Sequence, residues 1–191
     1  MALSAHTIET STRSRGLSLV ELLVFVVVVG GALTALVGVF FESTRASADP
    51  MLRRQALAIA ESLLEEVQLM PFTFCDGDDA NVATAAGTAG CAGTADAVGP
   101  EAGETRLASP PFDHANDYHG YATTGIVDLT NAAVAGLEAY SAQVAVAPSA
   151  LGSIGAGSGD ALRITVTVNG PGGTQVVLVG YRARYAPNAS F

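Results

Sequence analysis

The sequence predicts an α+β protein: a long N-terminal helix, apolar in its first half and amphipathic in its second, packed on a C-terminal antiparallel β-sheet, with one disulfide-closed loop. Three observations carry this expectation. Residues 22–41 hold no charge, apolar residues recur at three- and four-residue spacing from Leu52 to Met70, and apolar and polar residues alternate strictly from Leu162 to Asn169.

Residues 1–16 are polar, carry Arg13 and Arg15, and have no apolar stretch of their own, so an ordinary secretory signal does not fit them. They read as a tail left in the cytoplasm. Residues 17–48 read as one helix, and the only polar side chain in its uncharged block is Thr34. About 20 residues make roughly 30 Å of helix, enough to cross a bilayer core. Arg13 and Arg15 directly precede the span while Arg45 lies beyond it, which favours an N-terminus inside and the rest of the chain outside. Gly30 and Gly31 sit mid-span, where they loosen the helix or let a neighbouring helix approach.

Asp49-Pro50 has the form of an N-cap followed by Pro at the first helical position, so the helix is expected to kink or restart there. Over residues 49–70 the apolar stripe Leu52, Ala56, Ile59, Leu63, Val67, Met70 should lie against a sheet. Residues 71–136 are rich in Gly, Ala, Asp and Pro and read as loop. Residues 140–147, 162–169 and 175–185 read as three strands of a meander, with a Gly-rich turn at residues 169–173. Residues 71–191 thus form the loop and sheet part of one folded domain.

The chain of 191 residues carries a net charge of −9 and only 14% charged residues, a balance that argues against nucleic acid as a partner. Cys75 and Cys91, the only cysteines, both lie beyond the span. One disulfide closing a loop of about 16 residues would contribute roughly 3 kcal/mol in the loop-entropy picture and points to an oxidising compartment such as the periplasm. The competing reading is a pair of buried thiols in a reducing cytosol. Asp76, Asp78, Asp79 and Asn81 bunch oxygen ligands suited to calcium, but the Gly is at the wrong place for an EF-hand and no Glu closes the loop, and a solvated acidic turn is the favoured reading. Asp113, His114, Asn116, Asp117 and His119, flanked by Phe112, Tyr118 and Tyr121, form a second cluster. It could hold a metal or face a partner; the favoured reading is a loop pinned by its aromatics, with polar groups satisfying its backbone. No nucleophile arrangement and no phosphate loop is present, so no enzyme is expected.

The run Arg15-Gly16-Leu17-Ser18-Leu19-Val20-Glu21-Leu22-Leu23 resembles the prepilin signal of the type IV pilin-like family. A short charged leader ends in Gly, an apolar residue follows, a Glu stands five residues into the mature chain, and a span of the right length comes next. The resemblance implies a type IV pilin fold, cleavage between Gly16 and Leu17 by a prepilin peptidase, and N-methylation of Leu17. It also implies an assembly role for Glu21, pairing with the freed amino group of a neighbouring subunit's Leu17. A physical argument runs beside it, because an unpaired carboxylate within an apolar helix costs on the order of 2.5–3.5 kcal/mol. Residues 47–67 (SADPMLRRQALAIAESLLEEV) and 111–120 (PFDHANDYHG) resemble the D-type minor pilins of the mannose-sensitive haemagglutinin (MSHA) pilus.

These resemblances imply a minor pilin or pseudopilin, single-pass in a bacterial inner membrane with its C-terminal domain periplasmic, then built into a pilus or pseudopilus. The implied partners are other pilins, the peptidase, an inner-membrane assembly platform and lipid. A pseudopilin of a type II secretion system, a single-span periplasmic binding protein that never polymerises, and a calcium-dependent adhesive module are the competing readings.

Overall fold

A computed structural model of the chain describes residues 18–188, and for residues 42–49 the backbone alone. The chain divides into two compact units, Met1–Ala46 and Ser47–Phe191. Helix α1 is assigned over Leu19–Leu69, with Pro50 inside it, and contributes to both.

In the first unit, the stretch Leu19–Phe41 is long and apolar enough to cross a membrane, and none of it is buried within the protein. Phe25, Leu33, Leu36, Phe40 and Phe41 all stand exposed. An apolar helix with no buried residue in its span is suited to lipid, where a helix also satisfies its own backbone. The Thr34 hydroxyl donates to the Gly30 carbonyl one turn back, so the only polar side chain of residues 22–41 needs no outside partner.

The second unit is a four-stranded antiparallel sheet in the order β1-β2-β3-β4, with β1 at Ala122–Thr124, β2 at Ser141–Pro148, β3 at Ala161–Asn169 and β4 at Gln175–Ala183. The register places Val144 opposite Val166, Val146 opposite Ile164, and Val168 opposite Val176. One face therefore buries Ala142, Val144 and Val146 of β2 with Leu162, Ile164, Val166 and Val168 of β3. Against that face lies the C-terminal part of α1 through Ala56, Ala60, Leu63 and Val67. The stripe read from the sequence is thus the packed one, with Ala60 added and with Leu52, Ile59 and Met70 at its partly buried margin. Two small residues one turn apart on the helix let the sheet come close, and each buried Val or Leu contributes about 1.5–3 kcal/mol.

Glycine is required at one turn. A Cβ on Gly170, just after β3, would lie 2.6 Å from a ring carbon of Tyr140, which is itself buried and donates its hydroxyl to Gln55 Oε1 at 2.7 Å. Strands β2, β3 and β4 fall where alternation places them, within two residues at each end. The short β1 lies inside the stretch read as loop; it extends the sheet through three pairs, Ala122 with Gln143, Thr123 with Ala142 and Thr124 with Ser141.

Candidate functional site

Residues 71–120 carry most of the unit's polar chemistry and are almost entirely without regular structure. Cys75 and Cys91 are bonded to each other, 16 residues apart in sequence, and the bridge between Cys75 and Ala95 runs beside the disulfide. Asp79 ties the same loop by charge. Its carboxylate accepts the backbone N–H of Asn81 and Ala92 on Oδ1, at 2.8 and 3.0 Å, and of Gly93 and Thr94 on Oδ2, at 2.7 and 3.1 Å.

Those bonds, led by Ala92 and then Asn81 and Gly93, hold the Asp79 carboxyl down to about 2 from its ordinary 3.8. A carboxyl whose folded pKa lies below its unfolded value contributes stability above the unfolded pKa and loses it as pH falls through the folded one. Thermal unfolding should therefore show wild type above Asp79→Asn at neutral pH, with the gap closing between about pH 4 and pH 2. A gap that stays constant over that window would contradict the assignment.

Of the four oxygen-bearing residues singled out as a calcium loop, Asp79 is thus committed to backbone donors. Asn81 donates to the Gly90 carbonyl at 2.8 Å, and Asp76 Oδ1 accepts the Asp78 N–H at 3.0 Å. Asp78 is exposed. Among the described residues, Asp76 alone of the four joins a cluster of close titratable side chains, with Asp113 and His114. His114 is fully buried, with Nδ1 2.9 Å from Asp113 Oδ1 and Nε2 2.6 Å from Thr73 Oγ1. Gly77 makes room for this pair, since a Cβ there would overlap the Asp113 carboxylate.

The second cluster organises its own loop. Asp117 Oδ2 accepts the N–H groups of Asp113 and His114 at 3.0 and 2.7 Å, His119 Nδ1 accepts the Val146 N–H at 3.2 Å, and Asn116 Nδ2 donates to Asp96 Oδ2 at 2.8 Å. Phe112, Tyr118 and Tyr121 meet edge to face, with centroids 5.0 to 6.4 Å apart. At the far end of the layer, Arg184 lies over the rings of Phe72 and Phe74 and reaches Asp160 at 3.1 Å and Asp96 at 3.7 Å. Burial pushes the Asp96 carboxyl up and the Arg184 guanidinium down.

Two groupings are absent from the sequence expectations. Glu66 on α1 accepts Arg106 Nε and Nη2, both at 2.6 Å, and the Tyr118 hydroxyl at 2.7 Å. That bond with Glu66 raises the guanidinium's affinity for its proton, and burial together with Glu66 raises the Tyr118 hydroxyl well above its ordinary value. The other grouping is Glu101, Glu104 and Asp117, with one carboxylate oxygen from each within 4.8 Å of the others. Burial, then the hydrogen bond to Glu104, pushes Glu101 up to about 7, and burial pushes Asp117 up to about 8. The nearest sequence signal for it was Glu-x-x-Glu beside a Gly, too common to read alone.

Glu21 stands in the first turn of α1, on the exposed apolar stretch. Gly16 and Leu17, the expected cleavage and methylation residues, lie outside the described residues. The chain matches no family model, no curated protein and no solved structure.

Proposed function

We propose that the protein is a structural subunit of a type IV pilin-like filament, cleaved between Gly16 and Leu17 by a prepilin peptidase and packed helix to helix with other pilins. The observation that carries the reading is Glu21, five residues into the mature chain, in the first turn of an apolar helix whose span has no residue buried within the protein. A carboxylate there calls for a cationic partner, since leaving it unpaired in hydrocarbon costs about 2.5–3.5 kcal/mol. A cleaved neighbour offers one in the amino group of its Leu17, and that pairing sets the axial register of each subunit.

Other features support the same reading. A Cβ on Gly30, Gly31 or Gly38 would meet nothing within 4 Å in this chain, so these residues serve no packing within the protein and leave room for a neighbouring helix. The disulfide suits an oxidising compartment, and the domain beyond the span is a helix laid on an antiparallel sheet. The likeness of residues 47–67 and 111–120 to D-type minor pilins favours an MSHA-type pilus and a minor place in it. Glu21→Ala should leave the amount of mature protein in the membrane unchanged and cut its recovery in sheared filaments by tenfold or more, read by quantitative immunoblot of both fractions. Equal recovery would favour a single-span periplasmic protein that does not polymerise.

A further inference from the structure

The carboxylates of Glu101, Glu104 and Asp117 converge from two separate turns. Glu101 and Glu104 are the ends of one tight turn, with the Glu104 N–H on the Glu101 carbonyl at 3.2 Å and Gly103 at φ +98. Asp117 belongs to the turn that begins at Asp113. The two are held together by the pairing of Thr105 with residues 110–112, through Thr105 N to Pro110 O at 3.2 Å and Phe112 N to Thr105 O at 3.0 Å. A further bond runs from Gly99 N to Asn116 O at 3.1 Å. The convergence is therefore built into the backbone rather than left to flexible side chains.

A second observation concerns Asp117 alone. Its residue is 1% exposed, and while Oδ2 accepts two backbone N–H groups, Oδ1 is buried without a hydrogen-bond partner. A buried carboxylate oxygen left so forgoes the hydrogen bonds that water gives it in the unfolded chain. Among the side chains, Glu101 and Glu104 act most strongly on Asp117, and both are acidic. The nearby arginines are engaged elsewhere, Arg106 with Glu66 and Arg184 with Asp160 and Asp96.

We propose that Glu101, Glu104 and Asp117 bind a hard divalent cation, calcium in preference to magnesium. Oxygens bound to one ion at about 2.4 Å stand at most about 4.8 Å apart, the spread these three atoms satisfy. Magnesium, at about 2.0–2.1 Å and strictly octahedral, requires a tighter and more regular set. The ion would bind the Asp117 carboxylate, whose Oδ1 has no hydrogen-bond partner, and lock the turn at residues 101–104 onto the turn at 113–117. This site is distinct from the loop at Asp76–Asn81, whose Asp79 is taken up by backbone donors, and it does not depend on filament assembly.

The test is calcium-dependent thermal unfolding of the full chain in detergent, stripped with EGTA and titrated with calcium chloride to about 1 mM, the range of extracellular modules. Tyrosine-sensitised terbium luminescence is the second readout, since Tyr118 adjoins Asp117 and the chain has no Trp. A saturable rise in Tm, a smaller response to magnesium, and terbium emission quenched by calcium are expected. Asp117→Asn and Glu104→Gln should each lower the apparent affinity tenfold or more, while Asp78→Asn leaves it unchanged. No calcium response in wild type, or a response that survives both Asp117→Asn and Glu104→Gln, would overturn the proposal.

Discussion

Glu66→Ala should destabilise the domain by about 2–4 kcal/mol, the largest loss expected from any single side chain outside the hydrophobic core. Glu66 receives three hydrogen bonds, two from Arg106 and one from Tyr118, and both members of the ion pair are largely buried. Removing the carboxylate leaves a guanidinium and a phenol in a site with little access to water, and the cost is the desolvation of the groups left behind rather than the worth of the pair itself. The effect reaches beyond the pair because Arg106 also donates to the Tyr121 hydroxyl at 3.3 Å and Tyr118 packs on Phe112. Glu66→Gln keeps an acceptor and should fall between wild type and Glu66→Ala in urea unfolding of the full chain in detergent. Equal midpoints for all three would show that water reaches the pair.

The second large effect is the disulfide. Replacing Cys75 and Cys91 together with Ser releases a loop spanning 16 residues and should cost about 3 kcal/mol by loop entropy. Reduction of wild type should give the same loss under the same conditions. Asp79 bonds residues 92–94 across the same loop, so the two ties are coupled. Adding Asp79→Asn to the Cys double variant should lower the unfolding midpoint by more than the separate effects combined. Strict additivity would mean that the carboxylate and the disulfide hold independent pieces.

Elements defined by periodicity were legible in the sequence. The alternation of Leu162, Ile164, Val166 and Val168 with polar residues can bury one face only, and the structure buries that face. The 3-4 stripe from Leu52 to Met70 likewise names the helix face that meets the sheet, missing the partly buried Leu64 and Ala60, whose small side chain carries little hydrophobic signal. The disulfide followed from there being two cysteines beyond the span.

Long-range polar pairing was not legible. Glu66 and Arg106 are 40 residues apart and Tyr118 further still, so no local spacing reports their meeting. For the acidic run at residues 76–81 a solvated turn was favoured over a cation loop, and composition could not tell a carboxylate aimed at solvent from one aimed at backbone N–H groups, as Asp79 is. Conversely, Glu101 and Glu104 carry no signal until the pairing of Thr105 with residues 110–112 brings them to Asp117. Strand β1 escaped for a related reason, since three residues, Ala-Thr-Thr, are too short to express a period.

Maturation as a prepilin can be read from the intact mass and N-terminal sequence of protein purified from membranes of hosts with and without prepilin peptidase. A chain beginning at Leu17, carrying an added methyl on its amino group, is expected in the first host only, and a chain that keeps residues 1–16 in the second. The same N-terminus in both hosts, whether Met1 or a cut elsewhere, would contradict it.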